Sequence, residues 1–383
     1  MALPVTISGV ATGPNLTKWS GGPYKSSGGS YYAVLVDSTT TSKLAVVKAT
    51  DPTSSFSIQD ATNAPNVGAA PYSVWVFPDG DDLKICTAAA ADAEYRYHVF
   101  HMATDLWDGT LKNETVENVK DRPHAGALFC SVVVRSDDDV VVLYNGDVDA
   151  VMAANYNRVD YAVRVTSWTV GANVAGDGLE SNWEAGAAVL GASDKSHFSY
   201  INRTASDVYH RSLSSADALG TEHLVDATAG SFVLQSVYYD AAGTERITLF
   251  YFESGNALYS STIENDGTPA TPVAASDVAV STNRTHVVAE NGTVKKVHLL
   301  YADSATIDLW YDSNTNDGGW GTDTEELDAV TINRISSNVY NRSGTKLAYV
   351  YDDGGTVKYN EVDLGGAPAA TQTGWVQSRG GWW

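Results

Sequence analysis

A tyrosine that returns about every fifty residues restricts this chain more than any other feature. Tyr200, Tyr251, Tyr301 and Tyr351 stand in Phe198-Ser-Tyr-Ile-Asn202, Phe250-Tyr-Phe-Glu253, Leu299-Leu-Tyr-Ala-Asp303 and Val350-Tyr-Asp-Asp353, at steps of 51, 50 and 50 residues. A second short strand keeps the same phase, with aromatics at Tyr209, Tyr259, Trp310 and Tyr359. Earlier in the chain, Val46 and Tyr97 fill that second slot 51 residues apart. Polar turns give a third register: Ser27-Gly-Gly29, Asp79-Gly-Asp81, Asp137-Asp-Asp139, Asp194-Lys195, Ala242-Gly243, Asn291-Gly292 and Ser343-Gly344. Gly, Asn and Asp tolerate the dihedrals of tight hairpins, so each of these sites joins two antiparallel strands.

Seven such turns mark seven units. Each unit is a strand, a tight turn, a tyrosine strand, a second turn, a third strand and a more variable fourth. Four antiparallel strands in about 40–50 residues, repeated, is the pattern of a β-propeller blade. The expected fold is therefore all-β, a seven-bladed propeller, with six blades as the alternative because the first unit matches least well. The unit holding Tyr144 and Tyr161 is lengthened by an insertion from Gly146 to Arg158. The last unit runs out of chain after its third strand, Thr356 to Leu364, so Leu3-Pro-Val-Thr-Ile-Ser8 is expected to supply the missing outer strand and remove two open sheet edges. This divides the chain into residues 1–20 as closing strand and lead-in, 21–364 as propeller, and 365–383 as a Gly/Ala/Pro linker with a Trp-rich tail.

Composition agrees with strands and excludes several partners. Gly (33), Tyr (21) and Trp (10) are abundant, and Met (3) is rare. With 24 basic against 46 acidic residues the formal charge is −22, and no Lys/Arg run exists, so neither nucleic acid nor an anionic membrane surface is an expected partner. No stretch is long and apolar enough to span a membrane, and the N-terminus lacks a basic start with an apolar run, so the expectation is a soluble chain without an export signal. The two cysteines, Cys86 and Cys130, are too few for a disulfide framework and sit in apolar runs, as small core residues do.

These repeats resemble the sialidase-like propellers, whose turn between third and fourth strands carries a Ser-x-Asp-x-Gly-x-x-Trp box. Ser313-Asn-Thr-Asn-Asp-Gly-Gly-Trp320 falls at that turn with Ser, Gly and Trp in place, while Thr315 replaces the Asp and Asp317 is displaced. Fragments recur at Thr50-Asp51 with Phe56, at Thr104-Asp105 and at Asn265-Asp-Gly267. The resemblance implies the architecture. A sialidase of this kind would also need three arginines to hold a carboxylate, the first of them early in the chain, and no arginine precedes Arg96. Glycosidase chemistry is accordingly the least favoured function.

Carboxylates recur at the turn after each tyrosine strand, at Asp37, Asp147, Asp149, Glu253, Asp303, Asp352 and Asp353, which predicts an acidic rim on one face of the ring. Glu253, Asp303 and Asp352 are candidate ligand-binding residues on that rim, although Asp is also an ordinary turn residue. Asp147-Val-Asp149 is the best candidate for a Ca²⁺ loop, without the full spacing of a calcium motif; otherwise no cofactor is expected. Flat aromatic faces bind sugars, so Trp107, Trp168 and Trp320, near third-to-fourth-strand turns, are candidates for glycan stacking; the alternative is that they pack between blades. The histidines are scattered, with His98 and His101 the only close pair, and no nucleophile elbow, zincin or phosphate-loop motif occurs. Trp375, Trp382 and Trp383 would form a sticky patch if left in water, so they are expected to dock, on this propeller or on a partner.

Phage structural chains are similar to this one in lacking a signal, in being rich in Thr, Ser, Gly, Asn and Tyr, and in joining rigid β-domains to short docking ends. That resemblance implies a non-enzymatic structural or adhesion component of a virion, self-associating or meeting other virion proteins, with a host-surface glycan as a further partner. A glycan-binding propeller lectin is the alternative.

Overall fold

The computed structural model describes residues 3–12, 16, 18–40, 42–67, 71, 73–89, 94–118, 129–146, 158–171, 173–176, 183–239, 244–253, 256–265, 267–291, 295–315, 319–328, 330–338 and 346–364. Among them the only helical turns are two short 3-10 segments, Ala61–Asn63 and Ala192–Asp194. All other elements are strands, and they form seven sheets arranged as the blades of a propeller.

Blades 3 to 6 are four-strand meanders in chain order. Blade 4 is representative: Trp183–Leu190 is innermost, followed outward by Ser196–Asn202, Asp207–Leu213 and His223–Asp226. The inner strands of blades 3, 5 and 6 are Cys130–Val134, Ala229–Tyr239 and Val280–Asn291. Each sheet is covered on both faces by its neighbours, so its strands read as continuous apolar runs rather than as alternating ones. Cys130–Val134 and Val140–Gly146 are buried at every position, and Cys86 and Cys130 are fully buried free thiols.

The tyrosine period is the ladder register of the second strand. Tyr200 faces Ala185, Tyr251 faces Val233, Tyr301 faces Thr285 and Tyr351 faces Ile335. All four rings are fully buried. Two of their hydroxyls reach carboxylates, Tyr200 to Glu222 at 2.6 Å and Tyr251 to Asp226 of the preceding blade at 2.8 Å. These two phenols enter the core with their oxygens still paired, whereas the Tyr351 hydroxyl is buried without a partner.

The tight turns lie where expected at Ser27–Gly29, Asp79–Asp81, Asp137–Asp139 and Asp194–Lys195; the other three fall wholly or partly outside the described residues. Their acids link neighbouring blades. Asp81 accepts from the Ser27 amide at 2.7 Å and from its hydroxyl, and Asp194 does the same for Ser136, with an amide bond of 2.8 Å.

Blade 7 consists of Ile332–Ser336, Lys346–Asp353 and Thr356–Asp363, completed by Val5–Thr6, which pairs antiparallel with the third strand, Val5 opposite Tyr359. The Ile7 amide extends the ladder to the Val357 carbonyl at 2.9 Å. The start of the chain therefore closes the ring as its sequence suggests.

Blades 1 and 2 depart from the meander. In blade 1 the strands Val10–Ala11 and Tyr24–Lys25 both pair with Tyr31–Asp37. Between those two, Lys18–Ser20 leaves its own blade and pairs parallel with Ser73–Asp79, the inner strand of blade 2. Parallel pairing follows from the architecture, because the inner strands of all blades run in one direction along the channel. The next residue, Gly21, donates its amide to Ser336 Oγ of blade 7 at 2.7 Å and accepts from the Val34 amide of blade 1 at 2.7 Å. A Cβ at Gly21 would lie 2.0 Å from Trp19 Nε1 and 2.3 Å from the Val34 carbonyl, so only glycine fits this junction. Residues 18–20, at the end of the segment given above as closing strand and lead-in, are thus joined to the inner strand of blade 2.

Candidate functional site

The beginnings of the inner strands and the turns after the tyrosine strands share one face. At that face Lys18 crosses the channel. Its ammonium reaches blade 4, donating to the Ala185 carbonyl and lying 3.3 Å from Glu184 Oε1, and it sits 4.1 Å above the Phe129 ring of blade 3. The residue is only 1% exposed. Burial pulls the Lys18 pKa down to about 8, against the opposing attraction of Glu184. Glu184 is also held by Arg203, at 3.2 Å. Asn145 braces the same inner strand, donating to the Trp183 carbonyl at 3.1 Å and accepting from the Ala185 amide at 3.2 Å.

Register identifies the companions of Glu184. It directly precedes the residue opposite the blade tyrosine, and the same slot holds Phe129 in blade 3, Arg284 in blade 6 and Arg334 in blade 7. Both arginine strands bulge there, between Val280 and Thr285 and between Ile332 and Arg334. A bulge re-aims side chains at the end of a ladder. Arg334 donates from Nε to the Leu16 carbonyl and from Nη1 to the Asn333 carbonyl at 2.6 Å. Arg284 makes no hydrogen bond and neither arginine an ion pair among the described residues. Partial burial lowers both guanidinium pKa values, and for Arg334 the charge of Arg284 lowers it further while Asp352 opposes the shift. Blades 6 and 7 are neighbours, and the two guanidiniums at the channel mouth are near enough to repel one another.

Of the acids expected to form a rim, Asp303, Asp352 and Asp37 are engaged locally. Asp303 accepts from the amides of Ala305 and Thr306 at 2.6 and 2.7 Å, from the Thr306 hydroxyl and from Trp310 Nε1 at 3.2 Å. Burial opposes its ionisation, yet these donors hold its pKa below the usual carboxylate range. Asp352 accepts from Thr12 Oγ1 at 2.6 Å, the Gly355 amide at 2.6 Å and Asn333 Nδ2 at 3.2 Å. Asp37 caps its turn through Thr39 and Thr40. Glu253 is the exception: burial and the neighbouring Asp226 carboxylate raise its pKa. Tight turns leave amides without partners, and a short carboxylate satisfies them. Asp147 and Asp149 lie outside the described residues, as do Trp375, Trp382 and Trp383.

The three candidate tryptophans are wedged toward the preceding blade. Trp107 is 5% exposed, edge-on to Phe100 with centroids 5.2 Å apart, and its amide donates to Asp60 of blade 1 at 3.1 Å. Trp168 of blade 3 is edge-on to Tyr97 of blade 2 at 5.6 Å. Trp320 of blade 6 packs on Phe250 of blade 5 at 5.4 Å and donates from Nε1 to Ser260 Oγ at 2.8 Å. This is the inter-blade packing given above as the alternative to glycan stacking.

Among the described residues one trio of carboxylates, Asp308, Glu325 and Asp328, brings oxygens within 4.8 Å of one another. It lies in blade 6 and shares no residue with the channel mouth. His98 and His101 do not converge: buried His98 bonds Thr87 and the Lys112 carbonyl, whereas His101 bridges Asp82 and Asp108.

No protein-family model matches the chain, and no curated protein matches it in sequence. Solved structures match in fold. An ulvan lyase, described as representing a new family of polysaccharide lyase and bound to -[GlcA(1-4)Rha3S]-, superposes with a TM-score of 0.59 at 11% identity, over 95% of this chain and 97% of its own. AofleA from Arthrobotrys oligospora gives 0.54 at 9% identity, over 95% and 93%. A six-bladed fungal lectin, that of Aleuria aurantia, described with a fucose recognition mode, gives 0.50 at 13% identity, over 83% and 97%. At these identities the likeness shows a propeller fold.

Proposed function

We propose that the protein is a carbohydrate-binding propeller that takes a saccharide at the channel mouth, over Lys18 and beside Arg284 and Arg334. The observation that carries this reading is the state of the polar groups there. The Lys18 ammonium is spent on Glu184 and the Ala185 carbonyl of blade 4, while the Arg284 and Arg334 guanidiniums pair with no carboxylate among the described residues. A concave site with a few convergent donors is what an oxygen-rich ligand requires. The superposed lectin and lyase, described with fucose recognition and a bound saccharide, support the same ligand class.

Binding is favoured over hydrolysis because the acids nearest the mouth are engaged: Glu184 by Lys18 and Arg203, Asp352 by Thr12, Asn333 and Gly355. A carboxyl group serving as acid or base needs to be open to substrate. A virion setting would place the saccharide on a host surface, and immunogold labelling of purified particles checks that part. The saccharide reading is tested by screening the intact chain on an array of neutral, uronic-acid and sulfated glycans, followed by calorimetry on the positives. Saturable binding is expected for at least one class; a folded protein that binds none would sink the reading.

A further inference from the structure

We propose that the saccharide carries an anionic group, a carboxylate or a sulfate ester, gripped by Arg284 and Arg334 together; this rests on the saccharide reading above. In a chain with 46 acidic and 24 basic residues, arginine has ample carboxylates to choose from. Arg135 pairs with Asp217 at 2.7 Å, Arg158 with Asp160 at 2.5 Å, Arg164 with Glu114 at 2.7 Å and Arg203 with Glu184 at 3.2 Å, and Arg246 pairs with Glu264. Among the described residues Arg284 and Arg334 have no such partner; Arg211 also lacks one but is spent on the Gly220 and Val174 carbonyls, and Asp352, opposite Arg334 in the ladder, attracts it without an ion pair.

Two like charges held together where water is partly excluded raise the free energy of the empty protein, and an anion between them relieves it. The guanidinium fork matches the spacing of two oxygens on a carboxylate or sulfate and is more weakly hydrated than an ammonium. Lys18 does not compete for the anion, since its ammonium is already held by Glu184 and the Ala185 carbonyl. A neutral sugar would leave the charge of the pair uncompensated.

The test uses calorimetry on the intact protein with three probes: oligogalacturonate for carboxylate, sulfated galactan oligosaccharide for sulfate, and neutral galactan oligosaccharide. At least one charged probe is expected to bind about tenfold or more tighter than the neutral one, with affinity falling as salt rises from about 50 to about 300 mM. Arg284→Gln should lose about tenfold or more for that probe and lose clearly less for the neutral probe, which forfeits only uncharged hydrogen bonds. Arg284 is the decisive position because it makes no hydrogen bond among the described residues, whereas Arg334 also holds the Leu16 carbonyl. Arg246→Gln, in a pair outside the mouth, is the control. The carboxylate and sulfate arms show which anion is read. Equal binding of neutral and charged probes, or an Arg284→Gln variant matching the parent, overturns the proposal while leaving saccharide binding intact. Failure of every saccharide removes the underlying reading as well.

Discussion

Replacing Lys18 by Met keeps the length of the side chain and removes its charge from the channel. In the unfolded chain this amine has a pKa near 10.5, and in the folded ring about 8. Between those values the unfolded state binds a proton that the folded state has lost, so stability rises with pH across the window and the contribution is gone once the pH falls to about 8. Each unit of pH in the window corresponds to about 1.4 kcal/mol. Raising the pH from 8 to about 9.5 should therefore favour the parent over Lys18→Met by about 2 kcal/mol, with a flat difference from pH 6 to about 7.5. Above about pH 10 the buried tyrosines, whose pKa values are raised, begin to oppose this trend, so the comparison stops short of it. Glu184 keeps Arg203 in the variant, which limits the constant part of the loss. Urea titrations of parent and variant at matched pH give the difference directly. A difference that does not change between pH 7 and 9.5 would refute the placement of the ammonium inside the channel.

Other consequences follow from named contacts. Tyr251→Phe, which removes the bond to Asp226, should cost roughly 1–2 kcal/mol, whereas Tyr351→Phe should be near neutral because that hydroxyl is buried without a hydrogen-bond partner; paired denaturant curves check the contrast. Burial lowers the pKa of His98 and His286 to about 4, so NMR should find both neutral down to that pH, with stability falling as the pH drops from 6.5 towards 4. His101 behaves oppositely: burial disfavours its charge, but Asp82 and Asp108 raise its pKa above 6.5, so its contribution is present below 6.5 and lost as the pH rises through the folded value. Ile7→Ala, just past the strand that completes blade 7, should cost roughly 2–5 kcal/mol and loosen the cover on the edge of Thr356–Asp363, seen as a lower midpoint and as larger species in light scattering.

The ring was legible because its signals are local and periodic. Tyr200, Tyr251, Tyr301 and Tyr351 mark one ladder position, and turns such as Asp79-Gly-Asp81 need particular residues whatever their surroundings. The closing strand was legible from what blade 7 lacked. Lys18–Ser20 was not, since a three-residue strand has no period and its partner Ser73–Trp75 lies 55 residues away in sequence. Arginines 284 and 334 did carry a signal, the same fifty-residue step as the tyrosines, but bulges disguise the inner strands that bear it. The rim acids have a turn role that sequence alone did not separate from ligand binding: amides of the turn itself reach Asp303 and Asp352. Trp107, Trp168 and Trp320 fill the gaps between wedge-shaped sheets, where flat, bulky side chains pack well.

The most direct test of the account is a crystal structure of the protein with a bound oligosaccharide selected from the array. Density at the channel mouth, with ligand oxygens within hydrogen-bond reach of Arg284 and Arg334 above an unmoved Lys18, is the predicted result. Density between blades at Trp107, Trp168 or Trp320, or on the outer strands with the mouth empty, would contradict it.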